Sequence, residues 1–566
     1  MTTDQLMSAA GIAALVQPSG TPITPLSGPR SVIGRRALSP ASLLAMADGA
    51  AMASSSASSW QCLPRLRAGP LRPGFGTITA FVVSLSQATR FMRSTLLWVM
   101  ALLLWPAAQL AAAGQATGLP DTVSAALARA RIPQEGFSAY VQEVGQDKPI
   151  LAFNADTPRN PASAIKLVTT YLALESLGPT YTWKTTALAS SAPQGGVLNG
   201  DLYLRGQGDP YLVLERYWLL IREIRLRGVR EIRGDVVIDN SYFDVGDADP
   251  GDFDGRPYST YNVIPDALMV NFQAVNFMFR PDAAHNRVEI TADPLPANLK
   301  VRNQVQLVNG SCGGTRNRIN FSVATVGGHD EATFTGRFSR QCAEYRVTRS
   351  LMKAPEYAYG LFRALWEESG GTIRGRYRRA AAPATGMRIL ASLESVPLTE
   401  VITATNKHSN NIMARHLLLT LGAQRFGAPG TVEKGQRAVQ EELQRLGLAF
   451  PELAIGNGSG LTRDTRISAR SLTRLLLAAE RGPYGSEFES SLALAGLDGT
   501  ARRRFGGAEF TGHMHLKTGT LNNVHALAGY VQTPGGRKFA VSMMQNSTGW
   551  ADESQQALLR WVYRQP

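Results

Sequence analysis

The sequence predicts an α/β domain, an antiparallel sheet with flanking helices, interrupted by a long β-rich insertion. Three observations carry this expectation. Apolar residues at helical spacing follow Ser163, namely Ile165, Leu167, Val168, Tyr171, Leu172 and Leu174. Between about 181 and 385, short alternating runs recur between Gly, Asp and Asn turns. Beyond that stretch helical patterns return, followed by three expected strands and a closing helix.

In chain order, a helical stretch after residue 120 leads into an alternating strand at 138–144 and a second strand at 150–153, across a turn at 145–148. The buried helix after Ser163 follows. The insertion supplies alternating runs at 197–204, 235–238, 287–290, 301–307 and 332–338, then a helix at 357–368. Helical patterns occupy 395–447 and 466–481; strands are expected at 513–516, 526–531 and 538–543, and a last helix at 553–563. The expected division is 114–180 with 386–566 for the α/β domain and 181–385 for the inserted domain or domains.

The chain has 566 residues, 44% hydrophobic and 18% charged, enough for several domains with sizeable cores. Its mean hydropathy of −0.10 excludes a polytopic membrane protein. The formal charge of +14 is spread through the chain, with no basic run interleaved with aromatics, so nucleic acid is not an expected partner.

Residues 92–113 read as a secretory signal: Met92-Arg93, an apolar run from Leu96 to Leu104, and an exit at Ala111-Ala112-Ala113. The apolar run is short for a membrane span, which needs about 20 residues; the alternatives are an anchor or a buried helix. Residues 1–91, rich in Ser, Ala, Pro and Gly, read as a disordered leader or an over-extended start. Removing residues 1–113, with eight arginines and two aspartates, lowers the formal charge from +14 to +8. Such a chain suits work beside an anionic polymer. Cysteine usage agrees with export. Cys312 and Cys342 remain after removal of the leader and read as one disulfide closing a loop of about thirty residues, against two free buried thiols.

Three short motifs occur in order: Ser163-Ala164-Ile165-Lys166, Ser409-Asn410-Asn411 and Lys517-Thr518-Gly519. Ser-x-x-Lys at a helix start sets a hydroxyl and an amine one turn apart on one face. The hydroxyl is a poor nucleophile without a base, and a desolvated amine near another cation can serve. Lys517 is the candidate for that second cation. Ser409 and Asn411 add a proton-relaying hydroxyl and an amide that can orient a substrate carbonyl. Lys-Thr-Gly on a strand offers a cation and a hydroxyl to a carboxylate, and Gly519 lets another backbone approach. Ser-x-x-Lys alone arises about once by chance in a chain this long, and Lys-Thr-Gly in roughly one chain in ten. Their order and their helix, loop and strand contexts therefore carry the case.

The motif set is that of β-lactamases and penicillin-binding proteins, and the chain resembles the class C low-molecular-mass penicillin-binding proteins, the D-alanyl-D-alanine carboxypeptidase/endopeptidase family. The matching text runs from Pro161 to Thr170 and includes Gly200-Asp201-Leu202-Tyr203-Leu204, Gly206-Gln207-Gly208-Asp209-Pro210 and Ile232-Arg233-Gly234-Asp235. It continues through Asn406-Lys407-His408-Ser409-Asn410-Asn411, Asn457-Gly458-Ser459-Gly460-Leu461, Asp498-Gly499-Thr500, Lys517-Thr518-Gly519-Thr520-Leu521 and Leu527-Ala528-Gly529-Tyr530-Val531. Ser409 lies 246 residues after Ser163 and Lys517 another 108 beyond, a spacing that leaves room for extra domains inside the catalytic one.

The resemblance implies a penicillin-binding/β-lactamase-like serine transpeptidase fold. It implies that Ser163 is acylated, Lys166 takes its proton, Ser409 passes a proton to the leaving D-alanine and Asn411 holds the substrate amide. Lys517 and Thr518 would bind the terminal carboxylate beside Gly519, and the N–H groups of Ser163 and Thr520 would form an oxyanion hole. Peptidoglycan peptides are the implied substrates, β-lactams the covalent inhibitors and the periplasm the implied place, with no cofactor or metal and at most peripheral membrane contact. Ala164 stands where Asn is frequent and Asn410 where Asp is frequent; neither is a reacting group.

The rivals are weaker. A Ser-His-Asp hydrolase lacks its Gly-x-Ser-x-Gly elbow, since Asn457 precedes Gly458-Ser459-Gly460. His513 and His515 share a strand face but have no third metal ligand at suitable spacing. A β-lactamase would not need the insertion. A non-catalytic wall-binding homologue would keep the fold and lose the reacting groups, which are all present.

Overall fold

An N-terminal strand pair and four C-terminal strands meet in a single sheet. In the computed structural model, which describes residues 118–313, 318–550 and 552–566, this sheet runs Ala493–Leu494, Met514–Leu521, Val524–Gln532, Lys538–Asn546, Phe137–Glu143, Pro149–Phe153, antiparallel throughout. All described residues belong to one compact unit. The expected leader and signal segment, 1–91 and 92–113, lie outside the described residues.

Period-two alternation decides what each face buries. Tyr140, Ala526, Ala528, Tyr530, Ala540 and Met544 face a core shared with the helices Lys166–Leu177 and Ala469–Arg481. Ala139, Val141, Leu527, Val531, Val541 and Met543 face the other way, under the helices Asp121–Arg129 and Asp552–Tyr563. The small residues Ala526, Ala528 and Ala540 let the first helix layer sit close. The helix Lys166–Leu177 is buried from Lys166 to Leu174, because Leu398–Lys407, Asn411–Phe426 and Val432–Arg445 enclose its remaining sides.

The inserted segment has its own core. Its main sheet has the order Tyr377–Arg379, Val236–Asp239, Leu202–Gly206, Lys184–Ala189, Arg388–Glu394, mixed parallel and antiparallel. Two three-stranded sheets extend from it, Tyr345–Arg349 with Val275–Asp282 and Arg287–Asp293, and Leu299–Val308 with His329–Ser339 and Ile319–Val326. Cys312 and Cys342 are paired beside the second.

Three details differ from the sequence expectation. The inserted sheet continues past 385, since Arg388–Glu394 pairs with Lys184–Ala189. The run at 197–204 is broken into Val197–Leu198 and Leu202–Gly206, in different sheets, by the turn at Asn199-Gly200-Asp201. The stretch read as β-rich up to the helix at 357–368 also contains an unexpected 13-residue helix, Leu214–Leu226, which buries Tyr217, Leu220, Ile221 and Ile224 against the sheet. Those four recur at i, i+3, i+4 and i+7, a helical signature inside a segment dominated by strand-like runs.

Candidate active site

The site is built where the sheet edge, two helix starts and one glycine-rich loop converge. Asn160 holds the turn before Ser163. Its Oδ1 accepts from Ala162 N at 2.8 Å, and its backbone is paired with the Asn546 side chain at 2.7 and 2.9 Å. Ala162 is thereby fixed at φ 45°, and a short 3₁₀ turn, Ala162–Ile165, runs into the α-helix at Lys166. The one-turn spacing of Ser-x-x-Lys then does what the motif predicts: Lys166 Nζ lies 2.9 Å from Ser163 Oγ.

Lys166 is fully buried, with two further acceptors: Asn411 Oδ1 at 2.7 Å and the Ser459 carbonyl at 2.5 Å. Burial holds its pKa well below the usual lysine value, and Lys517 pushes it the same way. The Ser459 carbonyl reaches Lys166 because its loop is pressed onto the nucleophile turn. Gly460 has φ 79°, and a Cβ there would sit 2.0 Å from the Ala162 carbonyl oxygen. Thr169 Oγ1 ties the same loop down through the Gly458 carbonyl at 2.7 Å.

The second motif sits between two helices. Ser409 takes φ 57° in the break between Leu398–Lys407 and Asn411–Phe426. Asn410, the departure from the commonest pattern, caps the second helix by accepting from Met413 N at 3.1 Å. Asn and Asp cap about equally well, so the exchange keeps the local geometry. Asn411 begins that helix and is held at both ends of its amide, by Lys166 on Oδ1 and by the Tyr261 carbonyl on Nδ2 at 3.3 Å. Tyr261 belongs to the insertion, which therefore touches the site directly.

Lys517 lies in the strand Met514–Leu521, fully buried, and donates to Ser409 Oγ at 2.9 Å and to the Thr518 carbonyl at 2.8 Å. Burial lowers its pKa to about 7, with a further push from Arg504. Thr518 Oγ1 meets Thr500 Oγ1 at 2.9 Å, and Thr520 is exposed at the strand end. At Gly519 the strand runs against the nucleophile turn. A Cβ there would lie 2.4 Å from the Pro161 carbonyl oxygen and 3.0 Å from the N atoms of Ser163 and Ala164.

All eight expected site residues, Ser163, Lys166, Ser409, Asn411, Lys517, Thr518, Gly519 and Thr520, thus fall in this one region. Sequence reasoning missed three contributors. Ser459 and Tyr261 act through backbone carbonyls, which leave no side-chain signature. Thr500 stands in the quoted text Asp498-Gly499-Thr500 without an assigned part. Its loop is docked on the Ser409 element by Asp498, whose carboxylate accepts from Lys407 Nζ at 2.5 Å and from Leu494 N at 2.6 Å.

The site thus joins a serine hydroxyl to a buried amine, with a second buried amine beside it and a glycine-faced strand edge alongside. A D-alanyl-D-alanine carboxypeptidase of Actinomadura sp. (strain R39) is 32% identical over 403 residues, covering 68% of this chain and 73% of that protein. The D-alanyl-D-alanine carboxypeptidase DacB of Haemophilus influenzae is 26% identical over 422 residues, covering 73% and 86%. The crystal structure of penicillin binding protein 4 from Haemophilus influenzae superposes with a TM-score of 0.67 at 22% identity, over 79% of this chain and all of that one, and shows the same penicillin-binding fold. The family profile described as D-Ala-D-Ala carboxypeptidase 3 (S13) matches residues 119–564, so that all three motifs and the insertion between them fall inside it, and the chain belongs to that family.

Proposed function

We infer that the protein is a serine-type D-alanyl-D-alanine peptidase of peptidoglycan, acting as carboxypeptidase, endopeptidase or both. The observation that carries this is the fully buried Lys166 amine 2.9 Å from Ser163 Oγ, with its pKa held down. A buried, lowered amine is the base a serine hydroxyl needs at neutral pH.

In the proposed cycle Ser163 Oγ attacks the carbonyl carbon of the penultimate D-alanine while its proton passes to Lys166 Nζ. The N–H groups of Ser163 and Thr520 hold the oxyanion; loss of one such donor typically costs about 3 kcal/mol of barrier. Asn411 orients the substrate amide. Lys517, donating to Ser409 Oγ, leaves the Ser409 proton free to pass to the leaving amine as the C–N bond breaks, and the proton that Lys166 took from Ser163 replaces it on Ser409, so that Lys166 is neutral again. Lys517 and Thr518 bind the carboxylate of the departing D-alanine. Water then cleaves the Ser163 ester: Lys166 accepts the proton of the attacking water and returns it to Ser163 Oγ as the C–O bond breaks, which restores the free enzyme. Cys312 and Cys342 form a structural disulfide, as expected of a chain exported to the periplasm with its signal removed.

The test is mass spectrometry of the protein after incubation with benzylpenicillin, with D-alanine release from a pentapeptide measured in parallel. A stable adduct on the Ser163 peptide, absent in Ser163→Ala, is the expected result. Rapid loss of the adduct with turnover of the drug would make the protein a β-lactamase. No adduct and no D-alanine release would make it a non-catalytic homologue.

A further inference from the structure

An exposed indole is fixed next to the end of the Lys-Thr-Gly strand. Thr520 pairs with His525 across the sheet, and paired residues project to one side, the side that Thr518 also shares. The His525 ring meets Trp550 edge to face at 5.3 Å. Trp550 is 66% exposed, the most exposed large hydrophobic side chain among the described residues.

It is nevertheless held. Its Nε1 donates to Asp552 Oδ2 at 2.7 Å, and Asp552 Oδ1 accepts from Arg504 at 2.7 Å. The loop beneath it is tied by the buried Gln545, whose Nε2 donates to the carbonyls of Ser547 at 3.4 Å and Gly549 at 3.2 Å. Gly549 packs so closely that a Cβ would lie 2.9 Å from Ile132 Cγ1. An apolar ring that is exposed yet tethered at backbone and side chain is preorganised for contact, because little further ordering entropy is lost on binding. Nearby, the turn that brings Thr500 to Thr518 continues into the exposed Arg502 and Arg503.

We propose that Trp550, with Arg502 and Arg503, forms a leaving-side subsite that receives the second stem peptide of a cross-link. This rests on the function proposed above. If Lys517 and Thr518 take the carboxylate of the leaving group, a single terminal D-alanine ends there and reaches no further. Only a substrate whose leaving half continues can touch Trp550. In a cross-link that half is a whole stem peptide, attached through the side-chain amine of its diamino acid. The methylene chain of that residue suits the indole face, and the free carboxylates of the stem suit the two arginines.

The experiment compares kcat/KM for a cross-linked stem-peptide dimer with that for a monomeric pentapeptide, in wild type, Trp550→Ala and Trp550→Tyr. The expected result is a dimer-to-pentapeptide ratio about tenfold lower in Trp550→Ala and largely restored in Trp550→Tyr. An unchanged ratio overturns the subsite, as does a wild type that cleaves the pentapeptide but not the dimer. A wild type that cleaves neither and takes no benzylpenicillin overturns the function itself, and the subsite with it.

Discussion

Replacing Gly519 with alanine tests the closeness of strand and nucleophile most directly. The new Cβ would start 2.4 Å from the Pro161 carbonyl oxygen and 3.0 Å from Ser163 N. Ordinary contact requires about 3.4 Å or more, so strand and turn must separate by about 1 Å. Neither yields easily. The strand is paired at eight positions with Val524–Gln532, and the turn is pinned by Asn160 and Asn546. A 1 Å misplacement of reacting groups costs about 100-fold in rate, or ~2.7 kcal/mol of barrier. The second-order rate of acylation by benzylpenicillin is therefore expected to fall about 100-fold. Overpacking should also cost about 1–3 kcal/mol of stability, visible as a melting temperature lowered by a few degrees in a protein that still folds. A Gly519→Ala protein that acylates within threefold of wild type would refute the argument, since the site would then tolerate a separation the geometry says it cannot.

Other outcomes follow from the same residues. Lys166→Met should keep the fold and lower acylation by about 10³-fold, in the range of a lost general base, measured by the same trapping assay. Lys517, held at about 7 when folded against an ordinary 10.5, binds fewer protons folded than unfolded between those values. Stability should therefore rise with pH from about 7 to 10.5, and the rise should be smaller in Lys517→Met; denaturant melts across that window check it. Replacing Cys312 and Cys342 with serine should destabilise the inserted segment by about 3–4 kcal/mol, the loop-closure value for a separation of 30 residues, seen as an earlier unfolding step.

Much of the fold was legible because period is a local property. The short, mostly apolar runs at 526–531 and 538–543 fall in two central strands buried on both faces, and the apolar spacing after Ser163 marked the buried helix that carries Lys166. The helix Leu214–Leu226 was hidden among strand-like neighbours, and the pairing of Arg388–Glu394 with Lys184–Ala189, some two hundred residues apart, has no local mark at all.

By itself the sequence determined which groups can react. A serine one helical turn before a lysine, a Ser-x-Asn and a Lys-Thr-Gly are chemical inventory, and that is written in residue types. Tertiary structure alone decided what those groups become. It buries both amines and so lowers their pKa values, brings the Ser459 and Tyr261 carbonyls onto Lys166 and Asn411, and lays Gly519 against the nucleophile turn. The physical reason is that desolvation and close approach are properties of surroundings: a lysine's charge depends on what excludes water from it, and here that is supplied by segments hundreds of residues away in the chain.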